Sequence, residues 1–290
     1  MPELPEVETV RRELASWLTG RLIVEARRAD APAGPKYANL ERASGQRITR
    51  VDRRGKFLVM PLSEGDELIA HLGMTGVITP SRPDDHVRVV LSFDGPAPSA
   101  LFFKDARRFG RFLVAPGGDR SALPTLQHMG PEPLSPEFTL AAFEARLWSS
   151  APIKAALLSQ RPVAGLGNIY VDEALWRAGI HPATKARAVP RRQLASLRDA
   201  IVQVLSAALG AGGTTLSDYR HIDGAVGRYQ RHLDAYGRTG QPCRRCGTPI
   251  VRTAVAQRST HYCPRCQPRR YRSRARPARA GRGERGRPDD

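Results

Sequence analysis

Met1-Pro-Glu-Leu-Pro-Glu-Val-Glu-Thr-Val10 begins the chain and combines a helix start with a candidate nucleophile. We expect Met1 to be removed because Pro2 follows it, which leaves a secondary amine at the N-terminus. An α-amine has a pKa near ~8, well below that of lysine, so an appreciable fraction is nucleophilic at neutral pH. Such an amine condenses with a sugar aldehyde to give a charged iminium, and Glu3 beside it can move protons. Two residues alone carry little weight against an ordinary Met-Pro start, so the rest of the chain decides between these interpretations.

The next segment predicts an amphipathic helix over residues 5–18, because apolar side chains recur on one face, Pro5 suits a first turn and Gly20 ends the pattern. That face comprises Val7, Val10, Leu14, Trp17 and Leu18. Residues 21–114 then contain short β-like runs separated by turn residues, a pattern typical of a β-sandwich or barrel. Examples are Arg21–Glu25, Arg47–Val51, Lys56–Met60, Glu67–Leu72, Val87–Phe93 and Arg111–Val114.

The second half of the chain is predicted to be helical. A Pro- and Gly-rich stretch, residues 116–137, is interpreted as a linker after an N-terminal domain of residues 2–115. Helices are expected at 138–148, 153–160, 168–178 and 190–209, within a domain of residues 138–236. A cysteine-bearing module, residues 237–266, follows. Residues 267–290 form an Arg-rich tail that we expect to be disordered and to bind phosphate nonspecifically.

The chain is strongly basic, with a formal net charge of +18. The tail contributes nine Arg against three acidic residues, so +6 lies there and +12 on the remainder. A surplus of this size indicates a polyanionic partner, and nucleic acid is the first candidate. An anionic membrane surface is the competing partner, but no basic amphipathic helix supports it. No apolar run has transmembrane length and no signal peptide is recognised, so a cytoplasmic protein without membrane contact is expected.

All four cysteines lie in two CxxC pairs, Cys243–Cys246 and Cys263–Cys266, separated by sixteen residues. This spacing is typical of a zinc ribbon, in which each pair forms a tight knuckle on one tetrahedral ion. A disulfide is the weaker alternative, because CxxC pairs bridge poorly and a cytoplasmic chain stays reduced. Four thiolates leave no open coordination position, so the sequence predicts one structural Zn²⁺ with Cys243, Cys246, Cys263 and Cys266 as its ligands.

Several motifs, taken in order, resemble the bacterial formamidopyrimidine-DNA glycosylases over residues 2–266. They are residues 1–10, Arg54-Gly-Lys-Phe-Leu, His71-Leu-Gly-Met-Thr-Gly, Asp105-Ala-Arg-Arg-Phe-Gly, Gly165-Leu-Gly-Asn-Ile-Tyr, Gly212-Gly-Thr-Thr-Leu, Tyr236-Gly-Arg-Thr-Gly-Gln-Pro-Cys, and the ribbon with Gln257-Arg258. The resemblance implies an α+β, two-domain fold. An N-terminal helix and β-sandwich would precede a helical helix–two-turn–helix domain with a C-terminal zinc ribbon, and DNA would lie in the cleft between the domains.

The resemblance also implies catalytic roles. Pro2 would attack C1′ of the damaged nucleotide, and Glu3 would act as the general acid/base. Lys56 would contact phosphate and assist elimination, and Arg258 would hold the phosphate beside the lesion and aid the final elimination. Glu6 would have a supporting role. Glu8 is interpreted as a favourable charge in the first helical turn.

A second group of residues is implied to bind DNA. Met74, Arg107 and Phe109 match the side chains that fill the space left by an extruded base. Asn168, at a helix start, would hold a phosphate together with adjacent backbone amides, although it could also be an ordinary N-cap. His86 would contact DNA from the sandwich, and Lys154 would reach the DNA from the helical domain.

The segment 214–229 resembles a loop that closes over the extruded base, with Gly224 and Gly227 consistent with mobility, although an ordinary connection is nearly as good an interpretation. Three places depart from the family pattern. Ser159 replaces an aspartate, Arg88 stands where an acidic residue is common, and Arg228-Tyr229 replaces a more apolar pair. The first two are interpreted as scaffold variations, and the third leaves base preference open.

The resemblance therefore implies a bifunctional DNA glycosylase and AP lyase that excises oxidised purines from double-stranded DNA as a monomer in the cytoplasm, associated with the nucleoid when bound. One alternative is an endonuclease VIII-like enzyme for oxidised pyrimidines, whose members usually lack the Met/Arg/Phe set. Another is a zinc-ribbon DNA- or RNA-binding protein without catalysis. It would have no use for an N-terminal Pro-Glu, so covalent trapping on DNA separates it from the enzymes.

Overall fold

A computed structural model describes residues 2–214 and 227–269 of the chain. Helix α1 (Leu4–Leu18) opens the fold. The backbone N–H of Glu3 donates to the Glu6 carboxylate at 2.8 Å, which satisfies one free amide at the helix start. Val7, Val10, Leu14 and Leu18 are all buried on one face, as the spacing predicts.

Eight strands follow in the N-terminal half. They are β1 (Ile23–Arg28), β2 (Asp52–Arg54), β3 (Phe57–Pro61), β4 (Glu67–His71), β5 (Val77–Thr79), β6 (Val87–Phe93), β7 (Ala100–Lys104) and β8 (Arg111–Ala115). They form two four-stranded antiparallel sheets with the orders β1-β6-β7-β5 and β2-β3-β4-β8. The apolar face of α1 joins the core of this sandwich. Each buried Leu or Val there contributes about 1.5–3 kcal/mol of burial free energy.

Two strand predictions differ from the structure. The run Arg47–Val51 forms only isolated bridges, Leu22 with Arg47 and Ile48 with Leu62, because the chain turns there between the two sheets. Strands β2, β5 and β7 match none of the predicted runs. β5 has only three residues, and its pairing with β7 depends on contacts distant in sequence.

The segment predicted as a linker, residues 116–137, is packed in the structure. It contains the short helix α2 (Pro124–Gln127). Leu123, Leu126 and Met129 lie against Phe57 and other outward-facing side chains of the second sheet. This cover explains why Phe57-Leu-Val-Met60 is continuously apolar rather than alternating, since both faces of β3 are buried.

The helical half contains α3 (Leu140–Arg146), α4 (Ile153–Leu158), α5 (Asn168–Ala178) and α6 (Arg191–Gly210), close to the predicted ranges. Helices α4 and α5 and the turns between them form the helix–two-turn–helix. The turns hold the first domain tightly: Leu4 N–H donates to the Gly165 carbonyl at 3.1 Å. Gly165 has a φ of +81°, and a Cβ there would lie 2.5 Å from the Leu4 side chain, so only glycine fits.

The ribbon contributes a hairpin of β9 (Val251–Val255) and β10 (Arg258–Tyr262). Its two-residue turn, Ala256-Gln257, has positive φ at both positions, as a tight hairpin turn requires. The buried Glu173 of α5 accepts the backbone amides of Asp234, Ala235 and Tyr236, which fixes the chain as it enters the ribbon. The α+β, two-domain prediction is confirmed. Among the described residues, no helix is both long and apolar enough to cross a membrane.

Candidate active site

The side chain of Glu3 joins the two domains at the N-terminus of α5. Its carboxylate accepts the backbone amides of Gly167 at 2.7 Å, Ile169 at 2.8 Å and Tyr170 at 3.3 Å. These amides would otherwise lack partners at the helix start, and the helix dipole favours a negative charge there. Because Glu3 follows Pro2 directly, these bonds also place Pro2, which is buried, at the junction of the two domains.

Glu3 is 1% exposed, and its surroundings bring its pKa close to neutral pH. Burial raises the pKa of Glu3 to about 7, and the neighbouring Glu6 carboxylate adds to the rise, while the Lys56 ammonium and the amides of α5 oppose it. A carboxyl with this pKa populates both protonation states at neutral pH. It can therefore donate a proton and take one back.

Glu6 lies beside Glu3 in a buried network. It accepts the hydroxyl of Tyr170 at 2.5 Å and the backbone amide of Thr214 at 2.7 Å. Burial raises the pKa of Glu6 and holds the pKa of Tyr170 well above its ordinary value. The phenol therefore stays protonated, and its O–H donates a hydrogen bond to Glu6. Gly213 packs on this carboxylate, since a Cβ there would lie 2.8 Å from its Oε1. Glu6 thus fixes the last described residues before position 215.

Lys56 is 8% exposed and faces the two carboxyl groups. Burial lowers the pKa of Lys56, Glu3 and Glu6 oppose that shift, and the charge of Arg258 adds to it. Arg258 itself is exposed at the start of β10, directly after the hairpin turn. The structure therefore brings the four predicted catalytic residues, from both domains, to one place.

His71 lies at the edge of this cluster. It belongs to one of the motifs that resemble the family, but no role was predicted for it. Its ring packs on Phe57 with centroids 4.6 Å apart, and Nδ1 accepts the Gly73 amide at 3.1 Å. Desolvation, followed by the charges of Lys56 and Arg111, lowers the pKa of His71 to about 4. The imidazole is therefore neutral at pH 7 and orients the turn that precedes Met74.

Met74, Arg107 and Phe109, predicted to fill the space left by an extruded base, are called the wedge residues below. They lie on two adjoining loops, residues 72–76 and 105–110, which are called the wedge loops. Arg107 and Phe109 are exposed, and the Arg107 guanidinium lies over the Phe109 ring at 4.8 Å from its centroid. Phe109 is 50% exposed, which is unusual for an aromatic side chain and indicates a contact surface. Met74 is half-buried on the other loop. A Cβ on Gly73 would lie 2.5 Å from the Gly110 amide nitrogen, so glycine permits the close approach of the two loops.

His86 lies just before β6, and its backbone carbonyl accepts the amide of Asp105, the first residue of one wedge loop, at 3.0 Å. It is exposed, has a φ of +58°, and its Nε2 lies 3.4 Å from the Asp85 carboxylate. Asp85 also pairs with Lys104 at 2.5 Å. The position is accessible to a partner, as the prediction requires.

Lys154 differs from the prediction. It is 0% exposed, and its Nζ donates to Asp172 at 2.7 Å and to the Ser259 carbonyl at 2.8 Å. The Asp172 carboxylate also accepts the amide of His261 at 2.8 Å. Instead of reaching a DNA surface, Lys154 connects α4, α5 and the ribbon hairpin, because a buried ammonium must keep its charged partner.

Asn168 also departs from part of the prediction. It is the first residue of α5, but it does not cap the helix, since Gly167 is the N-cap and Glu3 supplies the acceptors. Its side-chain Nδ2 donates to the Ser259 carbonyl at 3.0 Å, so it positions β10. The amides of Gly167, Ile169 and Tyr170 are already bonded to Glu3, so they are not free to hold a phosphate.

Three further predictions have mixed outcomes. Ser159 ends α4 by donating its hydroxyl to the Ala156 carbonyl at 2.7 Å, which agrees with a scaffold variation. Glu8 lies beyond the first turn of α1, where Glu6 is the acidic residue, so the predicted first-turn charge is wrong; it instead pairs with Arg11 at 2.9 Å and with Arg53 at 3.0 Å. Most of the expected capping loop, residues 215–226, lies outside the described residues.

The four cysteines converge as predicted. Their sulfur atoms lie within 4.8 Å of one another, with Cys243 and Cys266 at 3.9 Å and Cys246 and Cys263 at 3.5 Å. A tetrahedral Zn²⁺ with Zn–S bonds of about 2.3 Å places sulfurs about 3.8 Å apart, so the cluster fits one structural zinc. The indole N–H of Trp176, in the last turn of α5, donates to the Cys243 sulfur at 3.4 Å.

Three sequence profiles match the chain consecutively. They describe the formamidopyrimidine-DNA glycosylase N-terminal domain at residues 1–112, the formamidopyrimidine-DNA glycosylase H2TH domain at 129–220, and a zinc finger found in FPG and IleRS at 240–269. The fold and the site thus have the same three parts in the same order as the profiles.

Relatives agree over nearly the whole chain. The formamidopyrimidine-DNA glycosylase of Deinococcus radiodurans is 45% identical over 284 residues, covering 93% of this chain and 98% of that protein. The crystal structure of MutM (Fpg) from Thermus thermophilus has a TM-score of 0.86 and 46% identity, covering 92% and 98%. A complex between Lactococcus lactis Fpg and DNA containing an abasic site has a TM-score of 0.81 and 36% identity, covering 92% and 99%. The chain belongs to the formamidopyrimidine-DNA glycosylase family.

Proposed function

We propose that this protein is a bifunctional DNA glycosylase and AP lyase that removes oxidised purines, chiefly 8-oxoguanine opposite cytosine and formamidopyrimidines, in base excision repair. The observation that carries the proposal is the position of the Glu3 carboxyl, buried on the amides of α5 and one peptide bond from Pro2. Solved relatives include MutM with carbocyclic 8-oxo-G DNA and Lactococcus lactis Fpg with Fapy-dG DNA, which supports the substrate class.

The chemistry begins at the nitrogen of Pro2, freed of Met1. It attacks C1′ of the extruded nucleotide as the bond to the base breaks, and the base leaves with the bonding electrons and takes up the proton that the Pro2 nitrogen loses. Protonation of the ring oxygen then opens the sugar to an iminium. Glu3 is the proton donor, since burial keeps a neutral fraction of its carboxyl at pH 7. In its ionised form the same carboxyl takes a proton back in the following elimination.

Lys56 and Arg258 provide the positive charge that the eliminations need. The iminium acidifies C2′, and β-elimination followed by δ-elimination expels the 3′ and then the 5′ phosphate, leaving a one-nucleotide gap. Lys56 neutralises one phosphate from within the cleft, and the exposed Arg258 binds the phosphate beside the lesion. These roles of Lys56 and Arg258 are predictions that mutagenesis can test.

Extrusion of the base is assigned to Met74, Arg107 and Phe109. Unstacking one base costs a few kcal/mol, and an apolar side chain that enters the stack offsets part of that cost. Phe109 and Met74 supply apolar surface, and Arg107 supplies donors for the unpaired base. Their place on two loops beside the carboxyl cluster suits a duplex bound across the cleft.

Borohydride trapping tests the proposal. Reduction of the iminium joins the protein covalently to DNA, so the parent protein should give an adduct with a duplex containing 8-oxoguanine opposite cytosine. Pro2→Gly should give at least tenfold less adduct. Intact-mass measurement must first establish that Met1 is removed, because a retained Met1 places the Pro2 nitrogen in an amide. Equal trapping by Pro2→Gly, or no adduct with the mature parent, contradicts the mechanism.

Lesion preference separates this function from the pyrimidine-specific alternative. Excision rates on duplexes with 8-oxoguanine opposite cytosine and with thymine glycol should differ by at least tenfold in favour of the purine. The reverse order would move the protein to the endonuclease VIII-like class. We further propose a monomer that acts in the cytoplasm on nucleoid DNA, since one chain supplies the carboxyl cluster, both wedge loops and the ribbon.

A further inference from the structure

Arg88, on β6, is the largest fully buried side chain of the sandwich, at 1% exposure. Its Nε donates to the backbone carbonyl of Asp105 at 2.9 Å, and its Nη1 donates to the Asp30 carboxylate at 2.6 Å and to the Asp30 carbonyl. A buried guanidinium is costly unless its donors are used, so these bonds fix its position. One of them reaches the first residue of the wedge loop, 105–110.

Asp105 transmits this position to both wedge loops. Its carboxylate accepts the Thr75 hydroxyl at 2.6 Å on the Met74 loop and the Gly110 amide at 2.7 Å at the far end of its own loop. The Thr75 hydroxyl in turn accepts the Arg107 amide at 3.3 Å. Asp105 is 0% exposed, so these bonds are not exchanged with water. Hydrogen bonds through Asp105 therefore connect Arg88 to Thr75, which follows Met74, to the Arg107 backbone and to Gly110, which follows Phe109.

Arg88 differs from other paired arginines of the sandwich in the segment that it contacts. The pairs that Arg42 makes with Asp66 and Arg120 makes with Glu67 tie the second sheet to nearby segments, away from the wedge loops. Arg88 instead bonds the start of the loop that carries the two exposed wedge residues, Arg107 and Phe109. Close contact between Gly73 and Gly110 means that a shift of one loop displaces the other.

We propose that Arg88 is a positioning residue for base extrusion, which acts through Asp105 to hold both wedge loops in the geometry that enters the base stack. This inference rests on the proposed function. It predicts that loss of Arg88 slows extrusion of the lesion and leaves the chemistry at Pro2 intact, because Arg88 has no contact with Glu3 or Lys56 among its hydrogen bonds.

The test compares Arg88→Met with the parent on two substrates. The first is a duplex with 8-oxoguanine opposite cytosine and 2-aminopurine as the neighbouring base, whose fluorescence reports unstacking in stopped flow. The second is a single-stranded oligonucleotide with a preformed abasic site, which needs no extrusion. We expect Arg88→Met to slow the 2-aminopurine phase about tenfold, the equivalent of one hydrogen bond to a charged group. Borohydride trapping on the single strand should stay within twofold of the parent.

Two further variants keep the inference falsifiable. Thr75→Val removes the hydroxyl that bonds Asp105 from the other loop with little change in volume, and it should slow the same phase. Arg120→Met removes a partly buried guanidinium–carboxylate pair on the second sheet and should leave the phase unchanged. Normal extrusion by both Arg88→Met and Thr75→Val, or equal slowing by Arg120→Met, overturns the inference. Absence of trapping by the parent on the abasic strand counts against the proposed function instead.

Discussion

Gly167→Ala tests how much the placement of the Glu3 carboxyl contributes to catalysis. Gly167 has φ −125° and ψ −158°, which alanine adopts without strain. A Cβ at this position would lie 2.3 Å from the Glu3 Cδ and 2.5 Å from its Oε1. Carbon atoms make ordinary contact at about 3.5–4.0 Å, so the carboxyl must move by more than about 1 Å.

That displacement should cost about 100-fold in the rate of base excision. A misplacement of about 1 Å in a reacting group costs on the order of 100-fold, equivalent to about 3 kcal/mol of transition-state free energy. The same movement weakens the bonds from Glu3 to the Gly167 and Ile169 amides. Hydrogen bonds to a charged group contribute about 1.5–3 kcal/mol each, so we also expect a measurable loss of folding stability.

Single-turnover excision of 8-oxoguanine from a duplex measures the effect, with enzyme in excess so that product release does not enter. Affinity for a duplex with a stable abasic analogue should stay within about threefold, since the substitution leaves the exposed side chains of Arg107, Phe109 and Arg258 in place. Gly210→Ala is the matched control, because a Cβ at the end of α6 meets nothing within 4 Å. Excision by Gly167→Ala at the parent rate would refute the role given to the bonds between Glu3 and α5.

Three other perturbations have defined outcomes. Glu3 must be protonated to donate its proton, so the excision rate should decline as the pH rises through about 7. The Lys56 charge lowers the pKa of Glu3, so Lys56→Met should move the midpoint of this decline to higher pH. An exposed control, Lys185→Met, should leave the midpoint in place, and a downward shift in Lys56→Met would contradict the assignment. Trp176→Phe removes the indole donor to Cys243 and should speed zinc release to a colorimetric chelator about tenfold, whereas Trp17→Phe, in the sandwich, should not. Lys154→Met leaves the Asp172 carboxylate buried without its cation and should lower the free energy of unfolding in urea by about 3–5 kcal/mol, and a loss below about 1 kcal/mol would show that the pair is dispensable.

Local sequence signals predict the elements that local interactions determine. The range 168–178 was predicted correctly because glycines flank it: Gly167 precedes the helix, and Gly179, with a φ of +67°, ends it. The cysteine spacing similarly predicts the metal cluster, since each CxxC knuckle is a local structure. The residues around the Glu3 and Glu6 carboxyls were predicted mostly from long sequence motifs, which indicate chemistry without requiring a prediction of the fold.

Contacts between distant segments account for the differences. Nothing local to Asn168 indicates that its helix is capped by the carboxylate of Glu3, 164 positions before Gly167 in the chain. Lys154 has the same neighbours in sequence whether it is exposed or buried, and only the docked ribbon supplies its partner carbonyl at Ser259. The predicted linker has abundant turn residues, yet its few apolar side chains suffice to cover the second sheet.

Helix α5 has one further consequence. Its first turn receives Glu3, and its last turn receives the ribbon, where Arg245 lies 4.2 Å from the Trp176 ring centroid and donates to the Trp176 carbonyl at 3.2 Å. Glu3, the proposed proton donor, is therefore itself part of the domain interface. The first domain alone would expose Glu3 to water with the acidity of an ordinary carboxyl, so we expect catalytic competence only on assembly. A fragment holding Pro2, Glu3 and Lys56 would contain most of the reactive groups and still be a poor catalyst.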